Sequence, residues 1–182
     1  MCNGYTHRQI CLMNQLRKLW GQHVYWTRFF IISTAEGLAD LKPVTDRLLQ
    51  NPEDFAELLA PLYGGKTACR FKELLTEHLQ IGGELVGAAK NGETGRADSL
   101  RGQWYRNADE IAAFLASVNR CWQESKWKDM LYSHLKMTEK EAELRLKGNY
   151  AADIQIFGSI EEEAFKMADY MFCGIVKQGV CS

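Results

Sequence analysis

The residues best suited to chemistry in this sequence are polar side chains that interrupt otherwise apolar helical faces. His23, His78, Asn107 and Glu161 each lie on an apolar stripe near the midpoint of a predicted long helix. Midpoints of helices of similar length fall at about one level in a bundle, so we expect these four side chains to meet in a buried layer. Buried polar groups need partners, because an unsatisfied one costs on the order of 1–3 kcal/mol.

Two imidazoles, an amide and a carboxylate could together bind a metal ion. Neutral imidazole and carboxylate ligands suit zinc, iron, nickel or manganese, and helical bundles commonly build such sites in their cores. A transition metal ion is therefore the candidate cofactor, whereas the substrate or small ligand is unknown. Small rotations could bring in further carboxylates, and a histidine on a separate helix could close one end of the pocket: Glu77, Glu84, Glu110, Asp153 and His134.

The same residues also allow a purely structural interpretation. The sequence has no Glu-x-x-His, His-x-x-x-His or His-Glu-x-x-His spacing. A second assignment of the last helix, with Asp153 and Ile160 on the inner face, would turn Glu161 outward. Two hypotheses stay open: a pocket that binds a metal ion or small ligand, and a non-enzymatic structural or protein-interaction module whose histidines are core residues.

The sequence does not specify a reaction. The segment 64–67 reads Gly-Gly-Lys-Thr, like the end of a phosphate-binding loop, but Ala60 stands where that motif begins with glycine. A phosphate loop follows a strand, and no strand is predicted before this segment. Acyl or phosphoryl transfer is therefore disfavoured, and whether the protein is an enzyme is left open.

The elements that must position these residues are predicted to be helices throughout. Apolar residues recur at steps of three and four, and no window alternates with the period of a strand. The pattern predicts an all-α, four-helix bundle with long helices at about 8–38, 66–90, 95–119 and 149–178. The two long connections between them could cross the bundle, so helix order and handedness are not determined.

Shorter helices are predicted inside both connections. In the first, the pattern favours a helix at about 54–62, with Asn51 as its N-cap before Pro52. In the second, 125–147 is divided into two helices, because Thr138 and Glu141 have the spacing of a capping box.

Composition limits the class of protein and its partners. The chain of 182 residues fits one helical-bundle domain spanning 1–182. Its net charge of −1 gives no basic stripe for nucleic acid, and the longest apolar run is interrupted by Arg28 and is too short to span a membrane. The cysteines form no Cys-x-x-Cys pair, which favours a reducing, cytoplasmic location. A homodimer is the candidate protein assembly.

Three segments resemble a family of small helical proteins from soil and spore-forming bacteria. They are 19–28 (LWGQHVYWTR), 107–116 (NADEIAAFLA) and 134–138 (His-Leu-x-Met-Thr), and the resemblance extends over nearly the whole chain. The family has no established activity. Some members carry the label acetylglutamate kinase, which this all-helical pattern does not support, because that kinase fold needs an α/β sheet with phosphate loops.

A looser likeness, of architecture alone, connects the chain to hemerythrin-like, ferritin-like and DinB-like bundles. Those groups often hold metals with histidines and carboxylates. Their ligand spacings are missing from this sequence, and likeness of fold does not transmit chemistry. No catalytic residue is carried across from any of them.

Overall fold

A computed structural model describes residues 4–179, and within that range the chain forms seven α-helices and no strand. The helices are α1 (His7–Glu36), α2 (Leu41–Leu48), α3 (Asn51–Tyr63), α4 (Gly65–Lys90), α5 (Thr94–Val118), α6 (Glu124–Leu146) and α7 (Tyr150–Gln178). The all-α prediction is confirmed. Residues 1–3 and 180–182 of the predicted single domain lie outside the described range. No helix within that range is both long enough and apolar enough to cross a bilayer.

The four predicted long helices correspond to α1, α4, α5 and α7, each within two residues of its predicted bounds. Their ends have local causes. Thr6 and Gln9 form a capping box at the start of α1, and Gly37 ends that helix in the left-handed conformation, with φ of 67°. Gly92, with φ of 71°, makes the tight turn between α4 and α5.

The prediction of four long helices is wrong in number, because α6 is a fifth. This helix runs unbroken for 23 residues, where two shorter helices were predicted. Thr138 and Glu141 match a capping box in sequence, but both are buried within the helix, at 3% and 1% exposure. A capping box is a local signal, and here burial of one continuous helical face outweighs it.

The first connection also differs from its prediction. It contains two helices, α2 and α3, and α3 begins at Asn51, with Pro52 in its first turn. Asn51 is not the N-cap, because its side chain is fully buried and hydrogen-bonds across to α1. That contact contributes to the site described below.

The long helices pack side by side around a common core. Helix α4 packs on α5, α5 on α6, α6 on α7 and α7 on α1, while α3 lies against α4 and also touches α1. Direct contacts of α1, α4 and α6 with one another are much less extensive. These three helices therefore enclose a space that their own backbones do not fill.

The connection between α5 and α6 is fixed to α7 by Trp122. Its indole N–H donates to the carbonyl of Met171 at 3.3 Å. A Cβ at Gly174 would lie 1.9 Å from the Trp122 indole nitrogen, so only glycine fits there. This anchor sets the start of α6 and hence the level of its inward-facing residues.

The buried face of α7 follows the second of the two assignments considered from the sequence. Asp153, Ile160 and Ala164 are buried, at no more than 1% exposure, whereas Tyr150 and Ile154 are 46% and 63% exposed. The first assignment, which has Tyr150 and Ile154 on the inner face together with Glu161, was wrong. The correct register has consequences for Glu161.

Candidate functional site

Three histidines from three helices converge in the enclosed space between α1, α4 and α6. His23, His78 and His134 are each 2% exposed. Their ring centroids lie 5.6–6.4 Å apart. One ring nitrogen from each falls within 4.8 Å of the other two. The cluster formed by these three residues is called the histidine triad below.

His23 is oriented by Asn51 of α3. The Nδ1 of His23 lies 3.2 Å from the Asn51 amide oxygen. The Asn51 amide nitrogen donates to the carbonyl of Leu19, which fixes the orientation of the amide. Because an amide oxygen can only accept, Nδ1 of His23 carries the proton and Nε2 keeps its lone pair.

His78 is oriented in the same way by Asn107 of α5. Its Nδ1 lies 2.9 Å from the Asn107 amide oxygen, and the Asn107 amide nitrogen donates to the carbonyl of Leu74. His78 is therefore also protonated on Nδ1, with a free lone pair on Nε2. Histidines that bind metals typically donate their other N–H in this way, which fixes tautomer and ring orientation.

His134 has no such partner. Its buried Nδ1 makes no hydrogen bond to any residue between 4 and 179. Leaving a buried polar atom unpaired costs on the order of 1–3 kcal/mol. Two members of the triad are thus held in a defined tautomer, and the third has an unused nitrogen.

All three imidazoles are neutral at physiological pH. Burial lowers the pKa of His23 to about 4, against the smaller raising effect of its bond to Asn51. Burial and the neighbouring His23 lower the pKa of His78 to about 3. Burial, together with His23 and His78, takes the pKa of His134 well below its ordinary value. Neutral imidazole is the form that binds metal ions.

The histidine triad lies at one end of a cavity of about 750 Å³. Side chains of α1, α4 and α6 form most of its wall, with mainly apolar residues such as Ile31, Leu79 and Val86. Charged residues line another part: Arg101, Lys136, Glu139, Lys140, Glu143 and Lys147. Because Lys136, Lys140 and Lys147 are exposed, the cavity reaches the protein surface.

Two further buried polar groups of the cavity wall lack hydrogen bonds. Neither the Trp104 indole nitrogen nor the Thr138 hydroxyl has a partner in the described part of the chain. The Trp104 ring lies 5.2 Å from the His78 ring, centroid to centroid. Thr138 follows His134 by four residues on α6, so the two share a helix face. The cavity that contains the triad is therefore also lined by two unpaired polar groups.

The spacing of the triad is close to what a metal ion requires. Zinc binds imidazole nitrogen at about 2.0–2.1 Å, which places ligand nitrogens roughly 3.3 Å apart in a tetrahedral site. Bringing nitrogens within 4.8 Å to that separation needs only small side-chain movements. Three protein ligands would leave the remaining coordination positions facing the cavity.

The structure separates the four residues proposed from helix midpoints. His23, His78 and Asn107 do come together in a buried layer. Asn107 contacts the triad only as the hydrogen-bond partner of the His78 ring and is not itself a member of the triad. Glu161 lies elsewhere, partly buried on α7, where its carboxylate accepts a 2.5 Å hydrogen bond from the Tyr25 hydroxyl. The register of α7 turns it away from the triad, so its placement in the polar layer was wrong.

The additional candidates also separate. His134 joins the triad. Glu77 accepts a long hydrogen bond from the Asn107 amide at 3.4 Å, at the edge of the site. Glu84 and Glu110 are exposed, where they pair with Arg96 and Arg70. Neither lies on the buried face of its helix.

Asp153 is buried in a separate ionic cluster that joins α1, α6 and α7. The Arg28 guanidinium lies 2.5 Å from the Glu141 carboxylate and 2.7 Å from that of Asp153. Arg145 lies 3.4 Å from Asp153. These four residues are called the ionic cluster below. Arginines pair with both of its buried carboxylates, Glu141 and Asp153, so neither is free to bind a metal ion.

Asn51 is the site residue that the sequence did not reveal. Its position before a proline resembles an N-cap, and its actual partner lies 28 residues away in the chain. The sequence around Asn51 gives no signal other than this N-cap pattern. Trp104 continues the apolar spacing of α5, and nothing in the sequence marks its nitrogen as unpaired.

Comparisons with known proteins give no relative from which function could be transferred. The chain matches no protein-family model, no curated protein and no solved structure. Its function must therefore be argued from the site.

Proposed function

We propose that this protein binds a transition metal ion through His23, His78 and His134 and holds a small molecule in the adjoining cavity. The observation that carries the proposal is the convergence of three neutral, buried imidazoles at the end of a cavity. Two of them have their lone pairs on Nε2, because asparagine side chains hold the protons on Nδ1.

Zinc is the metal to test first. All three ligands are imidazole nitrogens, which suit zinc, copper, iron or nickel, whereas manganese favours oxygen ligands. Catalytic zinc sites commonly have three protein ligands and a water molecule in the fourth position, and a three-histidine set lowers the pKa of that water to about 7. The arrangement therefore supports hydrolysis or hydration as the reaction class.

The test is elemental analysis of the purified chain without a histidine tag. We expect about one equivalent of metal per chain after zinc loading and buffer exchange. His134→Leu should lose it. His7→Leu is the matched control, because His7 is the fourth histidine of the chain and is exposed on α1, away from the triad. Less than about 0.1 equivalent in the unmodified protein would refute the proposal.

A second candidate function is a structural or protein-interaction module with core histidines. The observation that favours it is that Asn51 and Asn107 already satisfy His23 and His78 without a metal ion. Under this alternative, His134→Leu would be harmless or stabilising, and zinc would not change stability. A purely structural polar layer can often be replaced by well-packed apolar groups.

A further inference from the structure

We infer that the cavity binds a small carboxylate whose oxygens face the histidine triad and whose apolar body lies between α1, α4 and α6. This inference rests on the proposed metal site, and extends it by naming the class of ligand.

The unpaired groups around the triad indicate what the ligand must offer there. The Trp104 indole nitrogen is a donor only, so its partner must be an acceptor. The Thr138 hydroxyl can donate as well. Both groups are at least nine-tenths buried, at 5% and 3% exposure. Oxygen atoms of a ligand beside His78 would accept from the Trp104 N–H, and the Thr138 hydroxyl, one turn after His134, offers a second donor in the same cavity.

Charge balance points to an anion rather than a neutral oxygen. A divalent metal held by three neutral imidazoles keeps its full charge in a buried site, and a buried charge is costly unless it is paired. Glu141 on α6 and Asp153 on α7, both buried, are already bound to Arg28. A carboxylate ligand would supply the negative charge that these side chains do not.

The outer part of the cavity agrees with an anion. Its charged lining residues comprise four cations and two carboxylates. Arg101 pairs with Glu139, and Lys147 with Glu143. Lys136 is exposed and has no ion pair within the described range. A net positive entrance attracts anions.

The rest of the cavity requires an apolar body. Phe30, Ile31, Leu79, Leu85 and Val86 line it, with Ala142 and Leu146 of α6 opposite. A ligand with charge along its whole length would leave that charge against this wall. The volume of about 750 Å³ is in the range of pockets that hold drug-sized molecules. An alkyl or aryl monocarboxylate fits both parts of the cavity.

The experiment is a calorimetric titration of the zinc-loaded chain with octanoate, octylamine and octanol. We expect octanoate to bind at least about tenfold more tightly than the other two, because only it offers acceptor oxygens with negative charge. Equal affinity for all three would show that the cavity selects chain length alone, which would overturn the inference.

Matched variants locate the head group. Trp104→Phe removes the indole N–H and keeps an aromatic ring, and should weaken octanoate about tenfold. Trp127→Phe is its control, because Trp127 also has an unpaired indole nitrogen but does not line the cavity. Thr138→Val removes an unpaired hydroxyl that lines the cavity and should also weaken octanoate binding. Thr34→Val is its control, because it removes an unpaired hydroxyl that does not line the cavity. Equal effects within each pair would overturn the inference.

The outcome also separates this inference from the metal proposal. One equivalent of zinc without selective octanoate binding refutes the ligand class and leaves the metal site intact. If zinc does not bind, the same titration on the metal-free chain decides the matter. Octanoate binding that Trp104→Phe weakens would support the ligand class, and a lack of such binding would overturn the ligand class.

Discussion

The protein contains two buried polar regions that differ in how completely their groups are paired. In the ionic cluster, Arg28 binds both Glu141 and Asp153, and Arg145 adds a further contact to Asp153. The histidine triad, two turns earlier along α6, has no charge and borders a cavity. His134 has no hydrogen bond on Nδ1 within the range 4–179. Both carboxylates of the ionic cluster have arginine partners, and within the described range its one unpaired buried atom is the Nε of Arg145. The triad instead has an unpaired ring nitrogen that belongs to a cavity wall.

This difference suggests different roles. The ionic cluster joins α1, α6 and α7 directly through ion pairs, so we interpret it as structural. The triad joins α1, α4 and α6, whose mutual contacts are sparse. Unpaired buried groups lower stability unless something binds them. Three of them, on His134, Trp104 and Thr138, line one cavity, and this is the physical reason for assigning function to that region.

The two regions should also respond to acid in opposite directions. Burial raises the pKa of Glu141 to about 7 despite the opposing effect of Arg28. The folded state therefore binds a proton at Glu141 that the unfolded state releases, and this group favours folding as the pH falls from 7 towards 4.5. Burial lowers the pKa values of the triad instead, so its contribution has the opposite sign.

Breaking the ionic cluster should have the largest effect. Arg28→Met leaves Glu141 and Asp153 buried without their main partner, and we expect a loss of about 3–5 kcal/mol in the free energy of unfolding. Chemical denaturation at pH 7 measures it. Arg17→Met is the control, because the Arg17–Asp169 pair is about half exposed, at 44% and 43%, and such pairs contribute about 0–1 kcal/mol. Similar losses in the two variants would contradict a structural role for the cluster.

The pH dependence of the triad gives the next effect. His23 has a folded pKa of about 4 against an ordinary value of 6.5. Between these values the unfolded state takes up a proton that the folded state does not, so stability falls as the pH falls from 6.5 to 4. The expected contribution is about 3 kcal/mol, at roughly 1.4 kcal/mol per pH unit.

Comparison of unfolding free energies across that range for the unmodified protein and His23→Leu measures this contribution, together with the lowering effect of His23 on the pKa of His78 and His134. The carboxylates titrate in both proteins, and any constant cost of leaving Asn51 unpaired does not change the slope. Parallel curves would show that His23 is not held neutral by burial.

Much of the fold follows from the sequence because helical periodicity records which face is buried. The stripes of α1, α4 and α5 place His23, His78 and Asn107 correctly at one level. Helix α7 offered two stripes, and the choice that put Glu161 inside failed because the pairing of Asp153 with Arg28 from another helix fixes its register. Local spacing contains no information about such a partner.

The rest of the site could not be predicted for a related reason. Asn51 and His23 meet only after α3 packs against α1. His134 enters the triad because α6 is continuous, and the pattern at Thr138 and Glu141 predicts a break. In both cases a local capping signal competes with tertiary burial, and the sequence alone does not state which is stronger.

Zinc should stabilise the triad by a smaller amount, and only while the triad is complete. At a free zinc concentration one hundred times the dissociation constant, the gain in unfolding free energy is about 2.7 kcal/mol.

Arg28→Met should retain this gain if it folds, because Arg28 lies outside the triad. His134→Leu should lose the zinc gain. In the presence of a chelator, the free energy of unfolding of His134→Leu should lie within about 1 kcal/mol of that of the unmodified protein, because the unpaired Nδ1 is removed along with the ring. Denaturation of the three proteins with and without zinc measures these gains. A zinc gain preserved in His134→Leu would place the metal elsewhere. Such a result would also remove the contrast between the regions, because the triad would then be an incompletely paired core and nothing more.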